Sequence, residues 1–151
     1  MGTVLKRIIP GEKESDPLEE ARIVVAGGRG IRSRDEWQGL YRLAALLHGS
    51  VGATRPICEM GWEPHSRQIG QTGKLIAPAV YFAFGISGAM QHICGVQADI
   101  MIAVNQDPQA PIFQTADYAV VADVKEFLPL FIEAVESLKK RHASQVSVCR
   151  L

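Results

Sequence analysis

Short apolar runs alternate with longer amphipathic stretches along this chain of 151 residues. Five runs, at 22–26, 50–54, 80–84, 100–104 and 118–121, are rich in Val, Ile, Ala or aromatic residues and bounded by Gly, Pro, Asn or Asp, so they read as buried strands. Between them, residues 35–47 carry Trp37, Leu40, Tyr41, Ala44 and Leu47 at close to helical spacing, with Ser33 placed to cap the start. Phe127, Leu130, Phe131, Ala134, Val135 and Leu138 repeat the pattern, and Lys139, Lys140 and Arg141 complement the negative end of that helix. This alternation predicts an α/β fold: a doubly wound, mostly parallel sheet of about five or six strands with helices on both faces, occupying residues 21–141. Residues 10–20 mix Pro, Gly and charge, so residues 1–20 read as a linker or the tail of a preceding domain, and residues 142–151 as a flexible tail.

Composition narrows this picture only slightly. A chain that is 47% hydrophobic buries one sizeable core but is too short for two full domains. Sixteen basic and sixteen acidic residues cancel, which removes the overall field expected of a nucleic-acid binder. The longest apolar stretch, 75–86, is broken by Pro78 and too short for a bilayer, and residues 1–20 hold no signal-like apolar region, so a chain without membrane insertion is expected. Cys58, Cys94 and Cys149 are odd in number and far apart, the pattern of reduced thiols in a cytoplasm-like compartment.

The candidate chemistry lies in four loops that follow predicted strands, where an open parallel sheet places its ligands. Gly27-Gly28-Arg29-Gly30 offers backbone amides and an arginine to a phosphate, or is a tight turn with a solvated cation; it is not a dinucleotide fingerprint, because Ser33 stands where the last glycine belongs. Gly70-Gln71-Thr72-Gly73-Lys74 fails as a Walker A loop, with Gln68 in place of the first glycine and Leu75 in place of the magnesium-binding hydroxyl. It retains amides, the Gln71 carboxamide and the Thr72 hydroxyl for a heteroaromatic edge, against an ordinary polar turn. Ser87-Gly88-Ala89-Met90-Gln91-His92 reads as the start of a helix at Ser87, presenting amides and a dipole to a pyrophosphate, with His92 about one turn in as either a ligand contact or a structural histidine.

The fourth loop, Asn105-Gln106-Asp107-Pro108, follows the strand ending at Val104; Asn105 is able to bond a nucleotide, Asp107-Pro108 reads mainly as turn chemistry, and Asp123 suits ribose hydroxyls or the cap of the next helix. Arg55, held extended by Pro56, projects either into the same cleft, where a guanidinium stacks on an aromatic ring, or into a surface ion pair. No H-E-x-x-H, C-x-x-C or G-x-S-x-G occurs, which argues against a metal site or a hydrolase elbow.

Taken together, VVAGGRGI, VGATRP, QIGQTGKLIAPAVYFAFGISGAMQHICG, NQDPQAPIFQTADY and VADV closely resemble the FAD-binding domain of the electron-transfer flavoprotein alpha subunit, from about Ala21 to Leu138. The resemblance implies FAD as cofactor. It implies contacts from Arg29, Thr54, Arg55, Ile69, Gly70, Gln71 and Thr72, with Arg55 against the isoalloxazine and Thr72 on its N5 side. It places Ser87, Gly88, Ala89, Met90 and Gln91 along the ribityl and pyrophosphate portion, His92 at the pyrimidine carbonyl, and Asn105, Asp123 and Val124 on the adenosine side. Thr54 stands where serine is common and Gln106 where lysine is common, which keeps a hydroxyl and removes a charge.

The resemblance further implies an electron carrier rather than an enzyme with its own substrate. Its partners would be a beta subunit, flavin dehydrogenases such as acyl-CoA dehydrogenases as donors, and a quinone oxidoreductase as acceptor. The setting would be a bacterial cytoplasm or a mitochondrial matrix, and a further N-terminal domain is expected ahead of the linker. Two other functions remain open at this point: the flavin component of an electron-bifurcating or acyl-CoA reductase complex, and a nonredox nucleotide-binding module.

Overall fold

The computed structural model describes residues 17–150, with side chains placed as far as residue 143. The charged part of the expected linker, residues 10–16, the side chain of Cys149 and residue 151 lie outside the described portion. The five apolar runs form β1 (Ile23–Gly27), β2 (Ser50–Ala53), β3 (Val80–Phe84), β4 (Ile100–Asn105) and β5 (Tyr118–Val121). They join into one sheet in the order β2-β1-β3-β4-β5, with every neighbouring pair parallel. The inner strands are apolar almost throughout because both of their faces are covered, whereas β5 lies at an edge and exposes Tyr118 and Val121. Chain order reverses between β1 and β3, so the connections that leave their paired carboxyl ends part toward opposite faces, the place where such sheets form a crevice.

One face carries the two long helices, α1 (Arg34–Leu47) and α4 (Val124–Arg150). Ser33 caps α1 as its sequence predicts: its Oγ accepts from the Glu36 amide at 3.2 Å, while the Glu36 carboxylate reaches back to the Arg32 amide at 3.4 Å. Ser33→Ala is expected to lower the unfolding free energy by about 1 kcal/mol; an unchanged urea midpoint would show that the cap contributes nothing. Trp37, Leu40, Leu43 and Ala44 face the sheet, while Tyr41, expected on the same stripe, is turned toward the rim.

On α4 the buried stripe is Val124, Leu128 and Ile132, flanked by Phe127, Phe131 and Val135. Leu130 and Leu138, expected in the core, are 65% and 57% exposed. This segment has apolar residues on more than one side, and packing against α1 selects the i, i+4 row. The helix also continues to Arg150, past the end expected near His142.

The second face is covered differently. Ile69, Ile76, Ile86 and Ile112 come down onto Val24, Ala26, Tyr81, Ala83 and Ala103 from loops and one-turn helices rather than from long helices. Pro64, Gly70, Gly73, Pro78, Gly85, Gly88 and Gly95 punctuate these connections and prevent a long helix from forming. Among the described residues no helix is long and apolar enough to cross a membrane.

A buried carboxylate ties the rim together. Glu63 accepts from the Trp37 indole at 2.6 Å and from the Tyr41 hydroxyl at 2.7 Å, so the loop after β2 is pinned to α1. Burial, with Glu63 beside it, pushes the Tyr41 hydroxyl well above the ordinary phenol range. Trp62, from the same loop, sits edge-on to Trp37 with ring centroids 5.7 Å apart.

Candidate functional site

At the carboxyl end of β2, beside the crevice between β1 and β3, lies a cleft of about 400 Å³, within the range of small-molecule sites. Ile69, Ile86 and Pro56 supply apolar wall, and Thr54, Arg55, Gln71, Thr72 and His92 supply the polar groups. Of the expected contacts in 54–55, 69–72 and 87–92, all of the first two segments and Ala89, Gln91 and His92 of the third line one cavity, whereas Ser87, Gly88 and Met90 do not.

Thr54 precedes a short helix, α2 (Arg55–Glu59), and occupies its cap position with its side chain uncommitted to the helix. Its Oγ1 is buried without a hydrogen-bond partner among the described residues. A buried hydroxyl left unpaired costs on the order of 1–3 kcal/mol, and its place on the cleft wall leaves it free to bond a water or a ligand atom there. Arg55 does not extend from the strand as its sequence suggests; it opens α2, because Pro56 is tolerated in a first helical turn where its missing N–H has no partner. Its Nε donates to Glu59 at 2.9 Å, the surface pair foreseen as the alternative, and the same side chain lines the cleft.

The next loop is a tight turn bonded across to its neighbours. Gly70 N donates to Lys74 O at 3.1 Å and Gln71 N to Gln91 O at 2.6 Å, so the two cleft loops hold each other. Thr72 is fixed twice: its carbonyl accepts from His65 Nε2 at 3.0 Å and its Oγ1 accepts from Gln68 Nε2 at 2.8 Å.

His92 is buried beneath the cleft, where its Nδ1 lies 3.2 Å from Ile69 O and its Nε2 2.5 Å from the Tyr81 hydroxyl. A carbonyl only accepts, so Nδ1 carries the proton and Nε2 accepts from Tyr81. Burial pushes the imidazole down to about 4, against a smaller opposing effect of the Ile69 carbonyl, and the ring is neutral at neutral pH. Both ring nitrogens are therefore committed within the protein, the structural alternative foreseen for a lone histidine, although the ring still lines the cleft.

The helix expected to start at Ser87 begins later and is short: α3 spans Met90–Ile93. Gly88, at φ 98°, lies outside helical conformation, and a Cβ there would sit 2.5 Å from the Ile112 amide nitrogen. Ser87 O accepts from that same amide at 2.8 Å. The chain from Ser87 to Ala89 is thus a strap across the 111–114 turn rather than a first helical turn, and the expected convergence of helix amides is not built. Met90 is 76% exposed at its far end.

The remaining candidates are spread along the carboxyl edge outside this cavity. Gly28 N and Gly30 N donate to Phe84 O and Gly85 O, so the amides of the glycine loop are consumed by its neighbour, while the Arg29 side chain is exposed. Asn105 donates to Ile86 O at 3.0 Å and accepts from Asp107 N at 2.9 Å, bracing two loops. Asp123 caps α4 through the Lys125 amide at 3.0 Å, and Val124 is buried beneath α1. Among the described residues no group of His, Cys, Asp or Glu is arranged to hold a metal, and Cys58 and Cys94 are free thiols.

Residues 17–97, which include every residue lining the cleft, match the family described as electron transfer flavoprotein FAD-binding domain. The chain belongs to that family. Over 137 residues, 90% of its length, it is 42% identical to the electron transfer flavoprotein subunit alpha of Bacillus subtilis, covering 42% of that protein. It is 44% identical over 137 residues to protein FixB of Clostridium saccharobutylicum, again covering 90% of this chain and 41% of the relative. It is 43% identical over 129 residues to the mitochondrial alpha subunit of Arabidopsis thaliana, covering 85% of this chain and 36% of the relative. The chain thus spans about two fifths of the length of the curated relatives it matches.

Within this electron transfer flavoprotein domain, three residues shape the site without having been singled out by sequence. Tyr81 lies on β3 and looks like ordinary core, Gln68 stands out only as a Walker A mismatch, and His65 lies outside any motif. The apolar company of Tyr81, whose hydroxyl still needs a partner, was the one available signal.

Proposed function

We propose that this chain binds FAD along the carboxyl edge of its sheet and serves as the FAD domain of an electron-transfer flavoprotein alpha subunit. The observation that carries the reading is the buried, unpaired Thr54 hydroxyl on a cleft that also holds an arginine and a threonine hydroxyl. That donor set fits the heteroatom edge of an isoalloxazine, and Ile69, Ile86 and Pro56 fit its apolar portion.

When bound, FAD supplies the capacity to accept an electron pair and release electrons singly. Arg55 sets a positive charge beside the ring, and Thr54 and Thr72 offer hydrogen bonds to ring acceptors. His92 and Tyr81, locked to each other, form a rigid neutral floor. Arg29, Ser87, Asn105 and Asp123 mark the route of the pyrophosphate and adenosine along the edge, with Gly88, Met90 and Val124 beside it. The partners in this reading are a beta subunit, flavin dehydrogenases as donors and a quinone oxidoreductase as acceptor, in a bacterial cytoplasm or mitochondrial matrix.

An absorbance titration with FAD, followed by dithionite reduction, tests the cofactor and the redox role together. Saturable binding and a reducible flavin spectrum are expected. A chain that leaves FAD free while binding another nucleotide would instead be a nonredox nucleotide module. In the loaded protein, Arg55→Ala is expected to lower the flavin reduction potential, because removing a neighbouring positive charge disfavours the reduced, anionic ring. An unchanged potential at full FAD occupancy removes Arg55 from that role.

A further inference from the structure

We infer that Gln68 is a positioning residue for the flavin site, acting through Thr72 by turning the proton of the Thr72 hydroxyl toward the cleft. The inference rests on the FAD reading for the identity of the ligand and on geometry for the rest. Thr72 lines the cleft; Gln68 does not, and meets Thr72 in an adjoining open hollow that Arg55, Glu59 and His65 also line. Gln68 is buried and fixed by its backbone, with its N–H donating to His65 O at 2.9 Å and its carbonyl accepting from Lys74 N at 2.7 Å. From this anchored position its Nε2 donates to Thr72 Oγ1 at 2.8 Å.

A hydroxyl that accepts on one side still has one proton to give. The Thr72 proton has no acceptor among the described residues, and His65 holds the Thr72 carbonyl at 3.0 Å so that the residue stays in place. The loop therefore has a donor, rather than an acceptor, to offer a ligand in the cleft. Such a donor selects a ligand atom with a lone pair in the ring plane and disfavours one that carries a hydrogen there. Gln68 thereby sets hydrogen-bond polarity at a position it does not touch.

The test reverses that polarity with little change of shape. In Gln68→Glu the carboxylate accepts the Thr72 proton and withdraws it from the cleft. Dissociation constants for oxidised FAD are measured for the wild type, Gln68→Glu, Thr72→Val and the double variant, together with the visible band of the bound flavin. Gln68→Glu and Thr72→Val are each expected to weaken binding about tenfold and to shift the band alike. The double variant should be no weaker than Thr72→Val alone. Gln68→Glu binding like the wild type would mean that the carboxamide oxygen, not its nitrogen, faces Thr72, and overturns the proposal. Additive losses in the double variant overturn it too, since Gln68 would then act independently of Thr72.

If the buried carboxylate prevents folding, Gln68→Met serves in its place. It should weaken binding in the wild-type background and have no effect in the Thr72→Val background. A separate readout needs no cofactor: in the FAD-free protein the Gln68 side-chain amide resonances should move on Thr72→Val, and amide resonances that stay in place overturn the proposal. A wild type that fails to bind FAD strikes the functional reading instead, while the resonance measurement still decides the hydrogen bond.

Discussion

Gly70→Ala is expected to disrupt the cleft more than any other single-methyl addition to its walls. Gly70 has φ 133°, a region that side chains rarely adopt, and an added Cβ would lie 2.5 Å from Gln91 O and 3.1 Å from His92 Cα. The backbone conformation alone costs a non-glycine residue about 1–3 kcal/mol. The clash adds to this, because its partner is main chain and cannot swing aside. Relief requires the 69–72 and 91–92 segments to part, which also breaks the Gln71 N to Gln91 O bond. Both a lower urea midpoint and at least tenfold weaker FAD binding are therefore expected. Wild-type values for the two would show that the loops are not coupled as the contact implies.

The second large effect is acid destabilisation through His92. Its folded-state value is pushed down to about 4 from an ordinary 6.5, so between these values the unfolded chain binds a proton that the folded chain refuses. Stability is retained above about pH 6.5 and falls progressively toward pH 4, by roughly 3 kcal/mol for a shift of this size. The cause is burial, which penalises the charged imidazolium, and protonating Nε2 would also force the Tyr81 hydroxyl to turn its proton away from the bond it now makes. Urea midpoints between pH 7 and pH 4, compared with those of His92→Gln, isolate the contribution, since glutamine does not titrate. Parallel curves for the two proteins would assign the acid sensitivity to the carboxylates instead.

The sheet was largely legible because its inner strands are buried on both faces and appear as uninterrupted apolar runs; β3 begins and ends where the pattern places it, as does β5, an exposed edge strand whose run is apolar all the same. The covering layers were less so. Spacing identified α1, but on α4 the apolar residues outnumber one face, and only contact with α1 decides that Leu128 and Ile132 go in while Leu130 stays out. Of the glycine loops, those at 70–74 and 87–92 disclosed where the cleft lies without disclosing its bonding, and the one at 27–30 did not contribute to it. The Ser87 segment has the composition of a helix start, yet Gly88 packs on the Ile112 backbone, a contact made across the fold. His92 and Tyr81, or Glu63 and Trp37, likewise meet only after the chain has folded, so the partner that neutralises a buried polar group is invisible to local pattern.

The contact between Trp37 and Trp62 has a practical consequence for spectroscopy. These are the two tryptophans of the chain, and they sit together where the loop after β2 is clamped to α1 through Glu63. Intrinsic emission is therefore a gauge of that clamp on the helical side of the sheet. Parting of the cleft loops, one of whose anchors is Tyr81, leaves this gauge untouched as long as the clamp holds. A fluorescence melt and a flavin-release curve will track different events in the same molecule, and any gap between them measures how independently the two sides of the sheet come apart.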